Sequence, residues 1–132
     1  MKRVETICII DDDSLYTMLL KRKIEKLNLC KSITTFLNGE IAIERIKQQI
    51  DTNEDLPDVI LLDINMPVMN GWEFMEAFIK LLPLLNKKIA IYISSSSIAA
   101  EDRLKAQSYR EIENYITKPI ENDMLLMIAK LG

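Results

Sequence analysis

Asp58-Val59-Ile60-Leu61-Leu62-Asp63 sets four consecutive apolar residues between two acids, and the chain then turns through Ile64-Asn65-Met66-Pro67 toward Gly71. A strand with one wet face alternates apolar and polar residues. A run without alternation suits a central parallel strand covered on both faces. Pro67 and Gly71 close the segment as a loop, from Ile64 to Asn70.

Working outward, four more β-like runs alternate with helix-like stretches. Val4 to Ile10 reads as the first strand, and Ser14 is placed to cap the helix after it. In that helix Tyr16, Leu20, Ile24 and Leu27 fall at helical spacing, and Leu15, Met18 and Leu19 widen the stripe. Lys31 to Leu37 reads as a second strand. Asn38-Gly39 is a turn signal, and Ile43, Ile46 and Ile50 mark a second helix. The polar stretch Asp51 to Pro57 reads as a loop before the third strand, Asp58 to Asp63. Phe74, Met75, Phe78, Ile79 and Leu82 give a third helix its apolar face. Lys88 to Ser94 and Glu113 to Thr117 read as the fourth and fifth strands, with a weakly hydrophobic helix, Ala99 to Gln107, between them. Glu121 to Leu131 is the last helix, with Met124, Leu125, Ile128 and Ala129 turned inward. Regular alternation of this kind predicts an α/β fold: a doubly wound parallel sheet with helices on both faces. In such sheets a site forms at the carboxyl ends of the strands, where the strand order reverses.

The 132 residues suffice for one domain with its own core, expected here to span 1–132. Hydrophobic residues make up 48% and net charge is -3, which argues against direct nucleic-acid binding. Met1-Lys2-Arg3 leads into a short apolar segment that ends in three aspartates, unlike a signal peptide or membrane anchor. Runs such as Ile89 to Ile93 are too short to cross a bilayer, so no membrane insertion is expected. Cys8 and Cys30 show no metal or redox spacing and read as reduced, packed thiols of a cytoplasmic protein. There is no histidine, which excludes a Ser-His-Asp triad, a His-bound zinc and a phosphohistidine on this chain. In a phosphoryl relay it could only receive.

Every polar cluster follows a strand: Asp11, Asp12 and Asp13 the first, Asp63 the third, Ser94 to Ser97 the fourth, Lys118 the fifth. If the first and third strands are neighbours, their carboxylates converge and need a cation. A set of oxygens without His or Cys suits a hard divalent ion, most naturally Mg²⁺. Asp63 would then be a nucleophile toward phosphorus, with Lys118 and a serine hydroxyl on the remaining phosphoryl oxygens.

These residues resemble the receiver domain of two-component response regulators over nearly the whole chain. The acid pair stands in Ile9-Ile10-Asp11-Asp12-Asp13, the acceptor motif in Val59-Ile60-Leu61-Leu62-Asp63-Ile64-Asn65-Met66-Pro67 before Gly71, and a third motif in Ile116-Thr117-Lys118-Pro119. The resemblance implies a flavodoxin-like, five-stranded sheet in the order 2-1-3-4-5. It implies that Asp63 takes a phosphoryl group from a histidine kinase or phosphotransfer protein. Asp12, Asp63 and the Asn65 carbonyl would ligate Mg²⁺, with Asp11 acting through water. Ser95 would be the switch hydroxyl, though Ser94 and Ser96 leave the register open, and Tyr115 the switch aromatic. The Lys118-Pro119 bond would be cis. Asn65 and Ser97 would tune the lifetime of the phosphorylated state. With no output domain after the last helix, the expected output is contact with a downstream protein target that the sequence does not name, from a monomer or weak homodimer. The chain would be a switch, not a metabolic enzyme.

A hydrolase with an aspartyl-phosphate intermediate is the first competing class, but such enzymes typically carry a second Asp two residues after the nucleophile, where this chain has Asn65. A degenerate receiver that binds partners without phosphorylation is the second. Such domains usually lack an acid, the acceptor or the lysine, all present here. Among the remaining features, Asp13 reads as a solvated or helix-start charge, Trp72 as packing at the start of the third helix, the methionines as core filler, and Lys87-Lys88 as a solvated turn.

Overall fold

In the computed structural model, which describes residues 4–131, five strands form one parallel sheet. They are β1 (Thr6–Ile10), β2 (Ser32–Phe36), β3 (Val59–Leu62), β4 (Ala90–Ser95) and β5 (Ile112–Thr117), in the order β2-β1-β3-β4-β5. The helices are α1 (Ser14–Lys26), α2 (Gly39–Thr52), α3 (Gly71–Leu81), α4 (Ala100–Gln107) and α5 (Asn122–Leu131). The expected doubly wound, flavodoxin-like order is the observed one. The leading Met1-Lys2-Arg3 lies outside the described residues.

Alternate residues of each central strand feed opposite cores. Cys8, Ile10, Ile60, Leu62, Ile91 and Ile93 pack with Ile43 and Ile46 of α2, Phe74 and Phe78 of α3, and Ala106 of α4. Ile7, Ile9, Val59, Leu61, Ala90 and Tyr92 pack with Leu20 and Ile24 of α1 and with Leu125 and Ile128 of α5. Val59 to Leu62 are buried throughout, which is why the run carries no polar residue. Among the described residues no helix is long and apolar enough to cross a membrane.

Several local expectations are corrected. Asp13, not Ser14, caps α1: its carboxylate accepts from Tyr16 N–H at 3.0 Å, and an acid at that place also meets the positive end of the helix. Leu15, Met18 and Leu19 do not widen the buried stripe but are 61%, 42% and 54% exposed, because only the face through Thr17, Leu20 and Ile24 meets the sheet. α2 continues through Thr52 and stops at left-handed Asn53, so the loop begins later than Asp51. Met66 and Met75 do fill the core, whereas Met18 and Met127 are exposed. Lys87 is no solvated turn residue: its ammonium donates to Asp58 and to the Leu56 carbonyl. Lys88 is solvated as expected, its side chain 80% exposed while it pairs with Glu113 at 2.9 Å. Trp72 packs as expected, stacked on Tyr109 with centroids 5.9 Å apart.

Candidate phosphoryl-acceptor site

The backbone ladder carries on past the strands. Asp63 N–H donates to the Ile10 carbonyl at 2.9 Å and Asp11 N–H to the Phe36 carbonyl at 3.0 Å. With Ile10 beside Leu62 in register, the residues that follow, Asp11 and Asp63, leave the sheet side by side. One carboxylate oxygen from each of Asp11, Asp12 and Asp63 lies within 4.8 Å of the others. Asp11 is 2% and Asp63 6% exposed, while Asp12 is open to solvent.

The loop after β3 is held shut behind Asp63. Gly71 N–H donates to the Ile64 carbonyl at 2.8 Å and Met69 N–H to the Pro67 carbonyl at 2.7 Å. Between them Val68 takes a left-handed φ of 68°, a strained setting for a β-branched residue. Asn70 then starts α3 with a reciprocal capping box: its side chain accepts from Glu73 N–H at 2.8 Å, and the Glu73 carboxylate accepts from Asn70 N–H at 3.0 Å. Such a cap contributes about 1 kcal/mol to keeping the helix start, and hence the loop, in place.

Lys118 enters from the end of β5, where its N–H donates to the Ser95 carbonyl at 2.8 Å. The Lys118-Pro119 bond is cis. The ammonium sits 2.7 Å from Asp11 Oδ2 and 3.7 Å from Asp63 Oδ1. Burial opposes the Lys118 charge, but the hydrogen bond and field of Asp11, backed by Asp63, outweigh it and hold the pKa above the ordinary lysine value. Burial first, then the Asp11 charge, push the Asp63 pKa up to about 6 against the pull of Lys118. Three carboxylates facing one ammonium leave an excess of negative charge. That excess, with oxygen the only donor element, fits a hard divalent cation.

Of the remaining expected residues, Ser95 ends β4, Tyr115 lies on β5 and Asn65 lies in the loop after β3. Ser95 is fully buried and its Oγ accepts from Ser97 N–H at 3.1 Å. Ser94 is buried too, but its Oγ has no partner among the described residues, and Ser96 is exposed. Tyr115 donates its hydroxyl to the Ser97 carbonyl at 2.8 Å. Asn65 is exposed in the loop two residues after Asp63. Three neighbours escaped the sequence reading. Ser97 Oγ donates to Asp102 at 2.6 Å, tying the loop after β4 to α4. Arg103 lies 4.8 Å over the Tyr115 ring and donates to Thr117 Oγ1 at 2.7 Å. The Tyr16 ring lies 4.5 Å from the Lys118 ammonium. The Arg103 and Tyr16 contacts join separate segments of the chain, Asp102 alone reads as a charge in the first turn of α4, and helical spacing marked Tyr16 only as part of a core stripe.

Comparison with known proteins agrees with this geometry. The chain is similar to a two component response regulator from Cytophaga hutchinsonii, at 25% identity and a TM-score of 0.87, over 99% of this chain and 100% of that one. It is similar to a response regulator receiver protein from Dyadobacter fermentans, at 29% identity and a TM-score of 0.83, over 96% of each. It is also 28% identical to a protein-glutamate methylesterase/protein-glutamine glutaminase of Methanococcoides burtonii, over 93% of this chain but 34% of that protein, so it spans about a third of that relative's length. A family model for the response regulator receiver domain matches residues 7–130, the stretch that holds both acid groups and Lys118. By that match and by its sheet order, the chain belongs to the response regulator receiver domains of two-component signalling.

Proposed function

We propose that Asp63 accepts a phosphoryl group from a phosphohistidine of a histidine kinase or phosphotransfer protein, in a Mg²⁺-dependent transfer that switches a protein-binding face. The observation that carries this is the convergence of Asp11, Asp12 and Asp63 with Lys118 at the ends of β1, β3 and β5. Asp63 Oδ1 accepts from Ile64 N–H at 2.9 Å, which leaves Oδ2 as the attacking oxygen. An O–P bond forms there as the N–P bond of the donor breaks, and the histidine nitrogen keeps the electron pair. Asp12, Asp63 and the Asn65 carbonyl would hold the metal, with Asp11 through water. When bound, the cation supplies positive charge against the phosphoryl oxygens. Lys118 would hold one further oxygen and Ser95 Oγ another.

Drawing Ser95 toward the new group would strain its link to Ser97, and so the Ser97–Tyr115 bond. Tyr115 and the surface of α4, β5 and α5 would follow. Phosphorylation of this kind biases two states that already exist. The output would be contact with a protein target, by a cytoplasmic monomer or weak homodimer that neither binds nucleic acid directly nor enters a membrane. Beyond its own phosphorylation and dephosphorylation, the chain would catalyse nothing.

Intact mass after incubation with acetyl phosphate and Mg²⁺ tests the reading. Wild type should gain one phosphoryl group, and Asp63→Asn, or wild type without Mg²⁺, should gain none. No added mass on a folded wild-type chain would sink it and favour a phosphorylation-independent binding module.

A further inference from the structure

We propose that Tyr16 is a positioning residue for Lys118: its ring face carries the ammonium as that group moves from Asp11 toward a phosphoryl oxygen on Asp63. The inference rests on the acceptor reading above. Lys118 has three N–H donors and no acceptor. One is directed at Asp11, 2.7 Å away, while Asp63 at 3.7 Å is beyond hydrogen-bond reach. A phosphoryl group on Asp63 brings new oxygens to the site, and to bond one of them the ammonium must turn or shift away from Asp11 until an N–H···O contact closes near ~2.9 Å. A second carboxylate at its side would hold it by a short, directional bond. An aromatic face instead attracts a cation over a broad area, out to about 6 Å from the ring centre. At 4.5 Å from the Tyr16 centroid the ammonium can shift without leaving that field.

The ring is well fixed for this task. Tyr16 N–H is the group that Asp13 caps, so the acid triplet itself sets where the first turn of α1 places the ring. The ring packs from behind against the core that contains Leu20 and Ile24. Its hydroxyl is buried and has no partner among the described residues. What Tyr16 offers Lys118 is therefore the ring face, not a hydrogen bond.

The test compares wild type, Tyr16→Phe and Tyr16→Leu, each with Lys118 and with Lys118→Met, for the rate of phosphoryl uptake from acetyl phosphate and Mg²⁺. Proton shifts of the Lys118 side chain are read on the chains that retain it. Tyr16→Phe should keep the rate within about twofold and keep the upfield ring-current shift. Tyr16→Leu should lose that shift and slow uptake about three- to tenfold, the range a cation–π contact supports. In the Lys118→Met background it should change nothing. Tyr16→Met replaces Tyr16→Leu if the latter fails to fold. Equal slowing in both Lys118 backgrounds would make Tyr16 merely structural and overturn the proposal. So would Tyr16→Phe as slow as Tyr16→Leu, or Tyr16→Leu as fast as wild type. A wild type that takes up no phosphoryl group, whatever its ring-current shift, would defeat the acceptor reading and this role with it.

Discussion

A Cβ at Gly71 would lie 2.6 Å from the carbonyl oxygen of Asp63 and 2.9 Å from Ile64 Cα, both backbone atoms of the segment that carries the Asp63 carboxylate. A flexible side chain could swing aside from such a clash, but backbone held by Asp63 N–H to Ile10 and Gly71 N–H to Ile64 has little room to do so. Gly71→Ala should therefore push Asp63 out of place as well as strain the loop. We expect a loss of about 1–3 kcal/mol in urea denaturation and slower phosphoryl uptake. A variant as stable and as fast as wild type would mean that the start of α3 can retreat from Asp63 freely. In the sequence Gly71 was legible only as loop punctuation, because its close approach is to residues 63 and 64, which curl back on it. Asp63, Asp11 and Asp12 were legible as a group because each stands at a strand end. Their convergence still required that β1 and β3 be neighbours, which no local pattern states.

Element by element, the site end of the sheet is matched by a tie at the opposite end. The Asp58 carboxylate accepts from Glu5 N–H at 2.7 Å, from Thr6 N–H at 3.1 Å and from the Lys87 ammonium, joining the starts of β1 and β3 to the lead into β4. Burial opposes its ionisation, yet Lys87 and the two backbone donors together hold the Asp58 pKa below the usual carboxylate value. Asp58→Ala strips all three partners and should cost about 2–3 kcal/mol; Lys87→Met leaves the backbone donors in place and should cost about 1 kcal/mol. Neither should slow phosphoryl uptake, since the tie sits at the far ends of the strands. Urea midpoints check the order, and an Asp58→Ala no less stable than Lys87→Met would refute the role given to the backbone donors. The continuous apolar runs made the buried strands legible. The Asp58–Lys87 tie was not, because its partners stand 29 positions apart and read alone as a strand start and a solvated turn. The stripe on α1 was read too broadly for a related reason: periodicity finds the apolar side of a helix but not how much of it the sheet covers.

For the molecule as a whole, the site sets how stability depends on pH. Asp63 has a pKa raised to about 6 in the folded chain, against a value near 3.8 for an ordinary aspartate. Between these values the folded state binds more protons than the unfolded state, so stability must fall as pH rises through that window. A shift of two units corresponds to about 3 kcal/mol, and the partial solvent access of the site reduces the expected loss to about 1–2 kcal/mol. Asp58 acts with the opposite sign: its lowered pKa gives stability that disappears only as pH falls below the ordinary carboxylate range, so the two effects occupy separate windows. Mg²⁺ should oppose the loss by binding the ionised acids of the folded chain, so its stabilising effect should grow with pH across the same interval. Asp63→Asn should remove the slope and leave the metal-free chain more stable than wild type at pH 7.5. Urea midpoints from pH 4.5 to 7.5, with and without Mg²⁺, measure all of this. A wild type whose metal-free stability is flat or rising from pH 4.5 to 6.5 would show that Asp63 ionises without penalty, and that Lys118 alone neutralises the cluster.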